Sequence, residues 1–156
     1  MNYLVQKERE FIRDWTGFAN PLTLGLVGVL AFGGIQSPVF WQLVLIWIFN
    51  ELICSIVKLM WYRPRPMPMM WSSWYEKINA SSFPSIHASR LAVLATFCVL
   101  SERFDLYTLW IVITAAIVVG ITRIVLKKHY WTDVIGGWIL GILLTVIGVY
   151  ILSLIR

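Results

Sequence analysis

Five long stretches of this chain carry almost no charge, and short polar segments separate them. The apolar runs cover about 21–35, 39–60, 88–100, 106–126 and 134–155. A helix needs about 20 predominantly apolar residues to cross a bilayer. The second, fourth and fifth runs reach that length. The first does so if 15–19 extend it, and the third if His87 and Glu102 sit near its ends. The pattern predicts an all-α, polytopic membrane helix bundle of about five transmembrane helices. Ahead of it, Leu4, Phe11, Ile12 and Trp15 fall near one helical face, with Lys7, Glu8, Arg9, Glu10 and Arg13 elsewhere. Residues 1–18 are therefore expected as an N-terminal interfacial helix, the alternative being a solvated extension.

The connections differ in kind. Segment 33–38 is tight, 101–105 is a short charged turn, and 123–132 is a basic one. Segment 61–86 is long and rich in Pro, Met, Trp and Ser. Five crossings bring the N-terminal segment, 61–86 and 123–133 to one membrane face, where most charge outside the spans also gathers. The expectation is a single domain, 1–156, whose chemistry lies in 58–87 and 122–133.

Composition agrees with the pattern. Hydrophobic residues make up 59% of the 156 residues and charged residues 13%, against roughly 45–50% and about 25% in soluble domains. A soluble protein is excluded. The net charge of +5 is modest and clustered, which suits phosphate or lipid headgroups and not nucleic acid. Cys54 and Cys98 both lie inside apolar runs and read as packing residues, with neither a disulfide nor a metal site implied. The first residues lack a basic segment followed by an apolar core, so insertion is expected to rely on the first span.

Three polar clusters share the common face. In 58–66, Lys58 stands near the end of the second run, and Pro64 and Pro66 force Arg63 and Arg65 away from helical geometry. Such cations can converge on one point, or simply snorkel at a helix end. In 81–87, Pro84 marks a plausible helix start, where free amides and Ser85 would face an anion. A capped helix with an incidental histidine is the plainer alternative. In 122–133, Arg123 ends one run, and His129 and Asp133 begin the next. If 129–133 is helical, Asp133 can reach the His129 ring from one turn away. His87 and His129 are the only 2 histidines in the chain.

Lys58, Arg65 and Arg123 as cations, Ser85 and backbone amides as neutral donors, and two histidines would together cradle a tetrahedral oxyanion. A nucleophile on one side and a proton donor on the other would allow in-line displacement. Deeper in the second run, Asn50 and Glu51 are unusual, because an intramembrane carboxylate normally finds a partner. Arg90 is the expected partner of Glu51. The Met- and Trp-rich 67–75 loop suits the headgroup region, as an aromatic belt or as the border of a lipid entry.

Lys58-x6-Arg65-Pro66, Pro84-Ser85-Ile86-His87 and Thr122-Arg123-x5-His129-x3-Asp133 resemble the three-part signature of the type 2 phosphatidic acid phosphatase superfamily. Two positions depart from the family pattern. Ile86 stands where the family has Gly, and Thr122 where it usually has Ser. The resemblance implies an integral membrane enzyme that hydrolyses a lipid phosphate or diphosphate: an isoprenyl diphosphate, phosphatidate or phosphatidylglycerophosphate. It implies His129 as the nucleophile that forms a phosphohistidine, Asp133 as its orienting carboxylate, and His87 as the group that protonates the leaving oxygen. Lys58, Arg65, Ser85 and Arg123 would bind phosphate, without metal or cofactor. Arg63, Ile86 and Lys128 are further candidate substrate contacts, and the partners implied are a lipid substrate and the bilayer. The soluble haloperoxidase branch does not fit the hydropathy. Lys and Arg counts near span ends place the active face in the cytoplasm, whereas the resemblance implies the extracytoplasmic face of the plasma membrane. The competing class is a non-catalytic membrane protein that binds or transports a lipid phosphate.

Overall fold

The structure, a computed structural model, describes residues 21–154; the interfacial helix expected over 1–18 lies outside them. The order is α1 (Pro21–Ala31), α2 (Pro38–Met60), α3 (Trp74–Ala80), α4 (Ile86–Leu100), α5 (Leu106–Val125) and α6 (Trp131–Leu154), and no strand occurs among the described residues. Helices α2, α5 and α6 are each long and apolar enough to cross a membrane. Two of the five expected spans are shorter as helices: α1 has 11 residues and α4 has 15. At 1.5 Å per residue these are roughly 16 and 22 Å long, against about 30 Å of hydrocarbon. Helix α1 ends where Gly33 and Gly34 take φ of +83° and +85°, a region glycine enters without steric cost.

Local chemistry sets the other helix ends. Ser37 precedes α2 in an extended conformation with Pro38 in the first turn, where the missing N–H costs nothing. Ser73 caps α3 by accepting the Glu76 amide, while the Glu76 carboxylate accepts the Ser72 amide at 2.7 Å, an arrangement close to a capping box. Asp105 caps α5 through the Thr108 amide at 2.7 Å.

At the other end of α5, Lys127 adopts φ +54°. Its amide donates to Ile124 O, and the Lys128 amide donates to Arg123 O at 3.1 Å. This is a Schellman closure, built on lysine where glycine is usual. Left-handed backbone costs a residue with a Cβ roughly 1–2 kcal/mol, partly offset by glycine's larger loss of entropy on folding. Lys127→Gly is therefore expected to raise stability by about 0.5–1 kcal/mol, read as a higher thermal midpoint in detergent. A lower midpoint would contradict the assignment.

The most extensive packing joins α4 to α6, and small residues line it on both sides. A Cβ on Gly137 would lie 2.5 Å from Ser85 O, and one on Gly141 would lie 2.5 Å from Ser89 O. Ala88 and Ala92 of α4 complete the facing stripe. Close backbone approach of this kind is how helices associate where lipid removes the hydrophobic incentive. Below it, Leu43 and Ile46 of α2 pack with Leu91, Val93, Leu94 and Phe97 of α4 and Ala116 and Val119 of α5.

Polar groups inside the bundle are paired across α2 and α4. Ser89 Oγ donates to Asn50 Oδ1 at 2.5 Å. Arg90 and Glu51 form the expected pair, bidentate, with Nε–Oε1 2.6 Å and Nη2–Oε2 2.7 Å. Removing one partner strands the other charge in an apolar medium. Glu51→Gln and Arg90→Gln are each expected to lower the thermal midpoint in detergent, and the swap Glu51→Arg with Arg90→Glu to recover part of the loss. Single variants as stable as the parent would deny the pair any structural role.

Candidate active site

Three segments meet where α2 ends, α4 begins and α5 turns into α6, and backbone bonds stitch them together. The Ser82 amide donates to Arg63 O at 2.7 Å, the Ser85 amide to Asp133 O at 2.9 Å, and the Met67 amide to Lys127 O at 3.2 Å. The common face expected from the crossing pattern is thus a connected one.

Lys58, in the last turn of α2, is 1% exposed, and its Nζ donates to Ser81 O at 2.5 Å. Arg123, in the last turn of α5, is 3% exposed. Arg65 lies on the Pro-rich exit from α2, with its Nε buried and no hydrogen-bond partner among the described residues. Burial pushes the Arg65 guanidinium below its ordinary range, and the Asp133 charge opposes that shift.

Ser85 occupies the N-cap position of α4 without capping it. Its Oγ is fully buried and has no partner among the described residues. A buried hydroxyl left unbonded costs about 1–3 kcal/mol, so this one is poised for a ligand oxygen. The Ser85 amide is already committed to Asp133 O. The donors at this positive helix end are therefore the following amides of the first turn, beginning at Ile86. Pro84 does not open the helix as expected. It lies two residues ahead, after a cis Phe83–Pro84 bond.

His129 is 4% exposed, on the turn between α5 and α6. Its Nδ1 lies 2.7 Å from Ser82 O and 3.9 Å from Asp133 Oδ2. The nearer contact is the hydrogen bond. A carbonyl oxygen can only accept, so Nδ1 carries the ring hydrogen and Nε2 holds an open lone pair. Burial, then the charges of Arg65 and Lys58, hold the imidazole down at about 3, against the Ser82 carbonyl, which pulls it up. At neutral pH the ring is uncharged, with Nε2 able to donate its lone pair.

The expectation that Asp133 orients this ring directly is corrected by those distances. Asp133 is fully buried, and its oxygens are occupied by other donors. Oδ2 accepts the Tyr130 amide at 2.8 Å and the Ser82 hydroxyl; Oδ1 accepts Arg63 Nη1 at 2.7 Å. The Tyr130 bond is the back-reach of a helix-capping acid, since Asp133 is the third residue of α6.

Arg63, a candidate substrate contact in the sequence, is engaged within the protein through its Nη1. Besides Asp133 it donates to Thr132 Oγ1 at 2.7 Å and lies over the Tyr130 ring at 4.3 Å. His87 sits in the first turn of α4, half-buried, within reach of the charges of Arg123, Arg90 and Lys128. Ile86 and Lys128 are also half-buried. Ser82 is the participant that residue spacing left out: it serves His129 through its carbonyl and Asp133 through its hydroxyl. Its one sequence signal is its place in the 81–87 cluster.

Comparison with known proteins places this geometry in context. The family model described as the PAP2 superfamily matches residues 39–155. The Aquifex aeolicus LpxE crystal structure is similar with a TM-score of 0.74 at 20% identity, covering 96% of this chain and 88% of that one. The crystal structure of a transmembrane PAP2-type phosphatidylglycerolphosphate phosphatase from Bacillus subtilis gives a TM-score of 0.70 at 26% identity, covering 100% of this chain and 80% of the other.

Proposed function

The chain belongs to the PAP2 superfamily, and from that premise we propose that it releases inorganic phosphate from a membrane lipid phosphate or diphosphate through a phosphohistidine intermediate. It is an integral membrane protein and a phosphatase. The observation that carries the finer reading is the buried Ser85 hydroxyl, unbonded at a helix N-terminus and on the same face as Lys58, Arg65, Arg123 and both histidines.

In this reading a phosphate seats its oxygens on Lys58, Arg65, Arg123, Ser85 Oγ and the first amides of α4. His129 Nε2 attacks phosphorus in line, and the bond to the lipid oxygen breaks as His87, as imidazolium, gives that oxygen its proton. The proton that His87 gives enters with the substrate, whose phosphate charge offsets the surrounding cations and lets the imidazolium form. The products are the lipid alcohol (or the lipid monophosphate, from a diphosphate) and phosphohistidine. Neutral His87 then takes a proton from water, whose oxygen attacks phosphorus and expels His129, leaving inorganic phosphate. The fixed cations and donors neutralise developing charge without reorganising.

Isoprenyl diphosphates, phosphatidate and phosphatidylglycerophosphate are the leading substrates, since a chain of 156 residues leaves little room for a pocket that would enclose a soluble substrate. Five crossings, with α1 and α4 completing the three long helices, fit this arrangement within one domain. The family resemblance supports a site on the extracytoplasmic side of the plasma membrane, against the Lys and Arg count near the span ends. A panel of lipid mono- and diphosphates in mixed micelles, read as phosphate release, tests the activity. No release from any of them by folded protein would remove the enzyme reading and leave a lipid-phosphate binder. Labelling of Ser72→Cys from either side of sealed vesicles tests the sidedness, with little background because Cys54 and Cys98 are buried.

A further inference from the structure

We propose that Arg63 is a positioning residue for His129: its guanidinium holds Asp133 Oδ1 and thereby sets how much of the carboxylate's charge reaches the imidazole. The inference rests on the reading of His129 as nucleophile. Arg63 bridges the two groups that govern that ring. Through its backbone it accepts the Ser82 amide at 2.7 Å, and Ser82 O is the acceptor of the His129 Nδ1–H. Through its side chain it binds Asp133 and Thr132, each at 2.7 Å, and stacks on Tyr130. One residue of the α2 exit thus grips the whole first turn of α6.

The consequence is electrostatic. Asp133 is fully buried, so its charge is little screened by solvent. Its Oδ2 lies 3.9 Å from His129 Nδ1, too far to hydrogen-bond and close enough to attract a protonated ring. While Arg63 stands on Oδ1, part of that attraction is cancelled. Without Arg63 the carboxylate would favour the imidazolium, and the nucleophile would be lost to protonation at a higher pH. The other groups facing His129 are Lys58 from α2, Arg65 from the loop, Arg123 from α5 and His87 from α4. All are unchanged by substitution at position 63, and the Arg63 backbone bonds survive it as well.

The experiment is a titration of ring-labelled histidine by NMR on the full chain in detergent. With only 2 histidines, a His87→Gln background assigns the His129 signal. Arg63→Gln is expected to raise the His129 midpoint by about one pH unit, the lower end of what a neighbouring charge does. Tyr130→Leu, which removes the stacking ring and keeps the ion pair, is expected to leave the midpoint in place. Arg63→Lys, which keeps a charge but not the fork, should shift it less than Arg63→Gln, and it carries the test if the glutamine variant does not fold. An unmoved or lowered midpoint overturns the proposal. So does a raised KM with an unmoved midpoint, which would make Arg63 a direct substrate contact. A raised midpoint in a protein whose parent releases no phosphate would support the positioning role and overturn the phosphatase reading, so the two fail separately.

Discussion

His129→Ala is expected to lower phosphate release by at least about 10⁴-fold, as removal of a covalent nucleophile does elsewhere. The ring is 4% exposed and locked by one hydrogen bond through Nδ1, and a water admitted to the space left by alanine would lack both that fixed orientation and the basicity of Nε2. His87→Ala should behave differently. It removes general acid–base help worth about 10²–10⁴-fold, and its effect depends on the leaving group. With an aryl phosphate, whose leaving oxygen needs no proton, His129 should still be phosphorylated while water attack is slowed. Labelled phosphate should then accumulate on the protein in His87→Ala and be absent from His87→Ala/His129→Ala. A phosphoramidate bond is labile to acid and stable to alkali, which separates it from a phosphoserine on Ser82 or Ser85. Label retained in the double variant, or full activity in His129→Ala, would refute the assignment.

The two histidines were legible because their spacings to Arg123, Asp133 and Ser85 survive in the linear chain, and a helix or a tight turn converts such spacings into proximity. Lys58 and Arg65 were legible for a similar reason, since a proline-rich exit cannot continue as helix. The membrane class followed from hydropathy alone. What spacing could not supply was the allocation of hydrogen bonds within the cluster. The i, i+4 relation of His129 and Asp133 predicts that they approach, and they do, to 3.9 Å. It is silent on the competitors that arrive from residues far away in sequence. Ser82 reaches His129 across 47 positions and Arg63 reaches Asp133 across 70. A carboxylate with four claimants is shared out by geometry, and His129, four positions away, is the one left without a hydrogen bond.

The span count was limited by a different cause. Apolar composition counts residues, whereas crossing length depends on how many of them are helical. Gly33 and Gly34 end α1, and α4 closes at Leu100, just before a left-handed Glu102. The pairing of Glu51 with Arg90 was readable because a charge in an apolar run must be compensated, and few compensators exist.

Gly137→Ala is expected to damage the site from a distance, and it is the second large effect. A methyl group there would lie 2.5 Å from Ser85 O and 3.2 Å from the Ala88 Cβ. The first neighbour is backbone, held by the amide of Ser89 at 3.0 Å, so it cannot swing aside as a side chain would. Relief requires α4 and α6 to separate. Overpacking of this kind costs about 1–3 kcal/mol. The catalytic cost should be larger than the structural one, because the displaced residue is the N-cap of α4. Ser85 would move with Ile86 and His87 relative to Asp133 and His129, and misplacement by about 1 Å is worth on the order of 10²-fold in rate. Two further glycines calibrate the result. At Gly136 a Cβ would press on the Phe83 ring, a side chain able to rotate, and at Gly25 nothing lies within 4 Å. Activity and thermal midpoint should therefore fall in the order Gly25→Ala, Gly136→Ala, Gly137→Ala, from no loss to severe loss. Gly137→Ala with parental activity would mean that the α4–α6 approach does not set a distance between Ser85 and His129 on which activity depends.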